Sequence, residues 1–186
     1  MTGTADDDEI LNAPDATSSA PESASPEAGY PTWLKLAGIG GFVVALLIYA
    51  MRMNRVFGLF VDDAWYMLLA KALATGQGYA VINSPSSGIL PLYPPAYPFL
   101  LSLLYRLSPQ FPENIVLLKW LSVAAMLGSG ALTYSYFTRH RKLTPPVAWM
   151  IGLATVLSPT LVFLATSSLM SECVFTCVFL GAVVAG

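Results

Sequence analysis

The sequence predicts an all-α membrane protein: a polytopic bundle of transmembrane helices with interfacial helices in its first outer loop. Three observations lead there. Hydrophobic residues make up 55% of the 186 residues. Charged residues make up only 11%, against the roughly 25% that covers a soluble domain. Several uncharged apolar runs approach the length, about 20 residues, that crosses a bilayer as a helix. Two cysteines cannot make a disulfide framework. A net charge of −2 offers nucleic acid no basic stripe.

Charge is divided unevenly along the chain. Asp6, Asp7, Asp8, Glu9, Asp15, Glu22 and Glu27 precede residue 31, and no Lys or Arg does. Residues 1–32 are rich in Pro, Ala, Ser and acids and hold almost nothing to bury, so they are expected to be a disordered cytoplasmic tail. An acidic start does not fit a cleaved secretory signal. The remainder carries all nine Lys and Arg against Asp62, Asp63, Glu113 and Glu172.

Four apolar stretches follow. The first span is expected over 33–53, anchored by Trp33, Lys35 and Arg52 at the interfaces. A second covers 115–137, with Lys119 near one end and able to snorkel. Arg139, His140, Arg141 and Lys142 then form a basic cluster, and a third span is expected over 147–163 behind Pro145 and Pro146. The fourth run starts at Cys173 and is still apolar at Gly186. Such a run is short for a crossing, so the expectation is a helix cut part-way, in a chain that is the N-terminal part of a longer protein. A half-inserted tail would leave carbonyls unpaired in lipid. Basic residues in a short connection favour the cytoplasm. That puts the loop at 139–142 and the N-terminus inside, in a plasma or inner membrane, and segment 54–114 and Glu172 outside. Cys173 and Cys177 are read as buried apolar packing rather than metal ligands, and no metal site is expected from spacing. Residues 37–41, with Gly38, Gly40 and Gly41, and Gly128 with Gly130 suit close helix packing.

The outer loop, 54–114, is too apolar to be a free connection. Residues 62–75 read as a surface helix stopped by a left-handed Gly76. An irregular Pro-rich stretch spans 83–98, and a second surface helix 97–107. Asp62 and Asp63 open the first helix beside lipid. One reading is a cap and a favourable dipole interaction. The other is a carboxylate acting as general base, catalytic together with Glu172 from the connection ahead of the fourth run. Glu172 has its own plain alternative, capping that last helix with Ser171. Tyr66, Tyr79, Tyr93 and Tyr97 could stack on a sugar, or belong to an interfacial aromatic belt.

The run from Asp62 through Trp65, Tyr66, Lys71, Gly76 and Gly78 to Tyr79, followed by Tyr93, Pro94, Pro95, Ala96, Tyr97 and Pro98, resembles the first outer loop of the GT-C glycosyltransferases. The branch is the protein mannosyltransferase and aminoarabinose transferase-like group. Ser171 and Glu172 resemble the acidic site which that group often places after its third span. The resemblance covers residues 33–186. It implies a polyprenyl-phosphate-linked sugar as donor, inversion at the anomeric carbon, and an acceptor hydroxyl or amine deprotonated by Asp62. It further implies that Asp63 orients the acceptor or holds a divalent cation, and that Glu172 closes the pocket. Basic residues that some members carry three places after the first acid or before the double proline are here Trp65 and Tyr93. Lys71 and Arg106 are left to meet the carrier phosphate. The rival readings are a non-catalytic membrane scaffold or assembly subunit, and a fragment of a transporter.

Overall fold

The computed structural model describes residues 31–83 and 92–186. The expected disordered tail lies, up to Tyr30, outside the described residues, as do residues 84–91 of the Pro-rich stretch. Among the described residues there are seven helices and no strand: α1 Thr32–Arg52, α2 Val61–Ala74, α3 Ala96–Leu107, α4 Ile115–Arg139, α5 Pro145–Val156, α6 Pro159–Ser167 and α7 Glu172–Ala185. The all-helical expectation is met, and α1 to α4 start within a residue of their predicted positions.

α1 and α4 are long and apolar enough to cross a membrane. Neither is interrupted by proline, and each ends on an arginine that suits the negative end of the helix dipole. Most large apolar side chains of α1, including Trp33, Leu36, Ile39, Val43, Leu47 and Met51, lie exposed, as a lipid-facing surface requires.

The third expected span is corrected. It is longer than predicted and broken: α5 and α6 meet at 48° and count as one span only if taken together. Pro159 lacks the amide that would continue the helix and instead occupies the first turn of α6. The break frees backbone carbonyls, which in an apolar interior need another donor. Tyr49 of α1 supplies one, its hydroxyl donating to the Val156 carbonyl at 2.7 Å. Ala45, Tyr49, Val123, Met126, Val156, Ala165 and Cys173 form the core around this point. Cys173 is thus the buried packing residue that the sequence suggested.

Small residues bring α1, α4 and α5 together. A Cβ on Gly38 would run into the Trp149 ring, and one on Gly41 into Leu153. At Gly130 it would strike Val156 and Phe42. Gly152 is the least forgiving case, because its Cβ would stand 2.9 Å from the Gly130 carbonyl oxygen, a backbone atom that cannot rotate away. Gly152→Ala is therefore expected to destabilise the bundle by about 1–3 kcal/mol through overpacking. Denaturant titration in mixed micelles checks this, and an unchanged midpoint would contradict the α4–α5 packing.

α2 and α3 lie side by side at one end of the bundle. Tyr66, Met67 and Ala70 of α2 and Tyr97, Leu101 and Tyr105 of α3 share a core with Leu118 of α4 and Leu169. α2 stops as predicted at Gly76, whose φ of 76° is left-handed.

Candidate functional site

Asp62 and Asp63 occupy the first turn of α2, but neither caps it. The cap position is Phe60, with no side-chain hydrogen bond. Both acids are engaged in tertiary contacts instead. Neighbouring residues on a helix point about 100° apart, so one carboxylate turns inward and the other outward.

Asp63 is the inward one, with no exposed surface. Its Oδ1 accepts the Leu169 amide at 3.0 Å. Its Oδ2 finds no donor among the described residues, and neither do the nearby Tyr97 hydroxyl and Ser122 Oγ. Burial is the main force pushing the Tyr97 hydroxyl above its ordinary range, with Cys173, Asp63 and Tyr66 adding to it.

Asp62 is half-buried, and its Oδ1 accepts the Tyr93 hydroxyl at 2.6 Å. Aromatic rings enclose this contact. Trp65 stacks on Tyr93 at 6.2 Å, and Tyr66 meets Tyr93 and Tyr97 edge-on at 5.2 and 5.0 Å. The Tyr79 hydroxyl donates to the Tyr93 carbonyl and fixes that residue from behind. Burial raises the Tyr79 hydroxyl as well. The hydrogen bond to Asp62 pushes Tyr93 up to about 12, because ionising the phenol would set two anions against each other. The stabilisation from this pair is complete below the ordinary tyrosine range near pH 10. It is lost as pH rises towards the folded value of about 12. In an absorbance titration of tyrosinate, Tyr93→Phe should remove one phenol from the late-ionising group, the one that titrates near pH 12. A titration unchanged by that substitution would contradict the contact.

The connection between α6 and α7 closes against these residues. Leu169 is held by Asp63, and Ser171 Oγ lies 3.1 Å from the Tyr66 hydroxyl. Ser171 occupies the cap position of α7 but makes no side-chain cap hydrogen bond there; its hydroxyl is directed to α2. Glu172 follows at once, exposed, in the first turn of α7. It lines a groove of about 310 Å3 with Pro94, Tyr97, Leu100, Phe175 and Val178. So the two aspartates, Glu172 and the four tyrosines gather at one end of the bundle, Glu172 opening to the groove rather than onto Asp62.

Lys71 and Arg106 are not gathered there. Lys71 is nine residues beyond Asp62 on α2, about 13 Å along the axis and half a turn round it. It rims a different groove of about 270 Å3, with Phe57, Ala64, Met67, Tyr105 and Phe111. Arg106 donates to the Leu73 carbonyl at 3.2 Å and so closes the far end of α2. Asp62 and Asp63, one of whose alternatives under the resemblance is to hold a divalent cation, turn to different partners, Tyr93 and Leu169. Among the described residues no group of three or more His, Cys, Asp or Glu stands ready for a metal.

Lys119, placed where it is able to snorkel, turns inward instead. It is fully buried. Its ammonium donates to the Asn54 carbonyl, Asn54 Oδ1 and the Thr166 carbonyl, each at 3.1 Å, and to the Val56 carbonyl at 2.6 Å. The oxygens of three residues from two chain segments replace water around the charge. Trp65 and Ser171 also join the site without having been assigned a role in it. The one signal for Lys119 was a charge inside an apolar span, the usual mark of a functional or structural centre.

Comparison of the chain with protein-family models, with curated proteins and with solved structures finds no match.

Proposed function

We propose that the chain belongs to a polytopic membrane glycosyltransferase of the GT-C type, which moves a sugar from a polyprenyl phosphate to an acceptor hydroxyl or amine. Its N-terminus would be cytoplasmic and the α2–α3 end would face outward from a plasma or inner membrane. One observation carries the reading: Asp63 of the acidic pair of α2 is fastened to the connection that leads into Glu172, where a helix pair meets the ends of apolar spans. A polyprenyl phosphate cannot leave the bilayer, so its sugar emerges at that depth. The motif order along 62–98 adds the resemblance to that family.

In this reading Asp62 is the base. Tyr93 holds one carboxylate oxygen, and the other keeps its lone pairs for the acceptor proton. The acceptor oxygen or nitrogen forms the new bond to the anomeric carbon. The bond from that carbon to the carrier phosphate breaks, and polyprenyl phosphate leaves with the electron pair. Trp65 and Tyr93, both partly exposed, offer ring faces to the sugar, and Tyr66 supports Tyr93 from the core. Asp63 serves by holding the connection, and Glu172 bounds the acceptor side.

The test uses the full-length gene product in nanodiscs, with radiolabelled polyprenyl-phosphate hexoses and pentoses and a lipid and protein extract as acceptor source. Transfer of label to acceptor above the protein-free control is expected. Donors that all remain intact would overturn the reading.

A further inference from the structure

We infer that Lys119 is a positioning residue for this site, clamping the α6–α7 connection to the outer loop and thereby setting where Glu172 stands relative to Asp62. The inference rests on the function proposed above for those two acids.

A fully buried ammonium is costly unless its protons are matched by preorganised oxygens. Four oxygens surround this one, more than its three N–H bonds, so at least one proton is shared. They come from both sides of the site. Asn54 and Val56 belong to the segment that leads from α1 into α2, and Thr166 to the end of α6. Asn54 is fixed twice more. Its Oδ1 accepts the Val56 amide at 3.1 Å, and its Nδ2 donates to Ser167 Oγ at 3.0 Å. Asp63 then holds Leu169. Within 166–169, three residues are therefore tied to the outer loop or to α4, by a buried ammonium at one end and a buried carboxyl group at the other. Glu172 follows three residues after the last tie. A lysine in the second turn of α4 had a short route to the interface and snorkelling available. Its inward turn is explained by the oxygens it finds there.

The experiment is hydrogen exchange on the full-length gene product in nanodiscs, read beside transfer kinetics. In Lys119→Met, amides of 166–172 should exchange about tenfold faster or more, while the α4–α5 packing surface keeps its protection. Turnover should fall by about 10–100-fold at unchanged donor KM, as expected when an intact site is misplaced. Asn54→Ala removes part of the same cradle, keeps the lysine, and should show a weaker version of both effects. It serves also if the lysine variant does not fold. Unchanged exchange at 166–172 in the folded variants would overturn the clamp. Faster exchange with undiminished transfer would overturn the positioning role. If Asp62→Asn also transfers normally, the fault lies in the proposed function. If only the Lys119 and Asn54 variants do, it lies in this inference.

Discussion

Asp62→Asn in the full-length gene product is expected to lower sugar transfer by about 10²–10⁴-fold, the contribution of a positioned general base. The protein should still insert and fold. An amide oxygen at the same place still accepts the Tyr93 hydroxyl, now found at 2.6 Å from the carboxylate, so the aromatic enclosure is kept. What is lost is the affinity for the acceptor proton. Because the substitution is nearly isosteric, donor KM should change little, and the loss should fall on turnover. Transfer at the unsubstituted rate would remove Asp62 from the chemistry. A chain that moved a solute across the membrane and formed no glycosylated product would belong to a different class.

Asp63 should behave in the opposite way, and the contrast between the two neighbours is the sharper test. Asp63→Leu leaves the Leu169 amide, at present 3.0 Å from Oδ1, buried without an acceptor. That costs about 1–3 kcal/mol, and transfer should fall with it as the connection detaches. Asp63→Asn keeps an oxygen for that amide and should recover most of the stability. Denaturant titration and transfer assays on the same preparations separate the outcomes. Equal stability of the Leu and Asn variants would show that the hydrogen bond does not hold the connection.

The sequence made the helices legible where a single local property decides them. α1 and α4 follow from length and hydropathy alone. α2 ends where a glycine supplies the left-handed residue. The break between α5 and α6 had its signal in Pro159, yet an apolar count passes over one proline in an uncharged stretch. The place of the acidic pair was readable, but the partners were not. Leu169 stands 106 positions from Asp63 and Ser171 105 from Tyr66, and no periodicity carries information over such a distance. Lys119 shows the same limit differently. Its charge marked it, but whether a lysine turns to the interface or inward depends on acceptors that only the assembled bundle provides. Gly41 and Gly130 were readable as contact points, whereas Gly152, which receives Gly130, drew no notice in an unbroken apolar run.

The hydroxyl that Tyr49 gives to the Val156 carbonyl joins segments separated by 107 positions. At an elongation speed of about 5–20 residues per second, the donor is made roughly 5–20 s before its acceptor. Until the two meet, the bend at Ser158 and Pro159 has no outside donor for that carbonyl. The bent geometry can therefore settle only after the third apolar segment is made, and the order of synthesis becomes a condition for it.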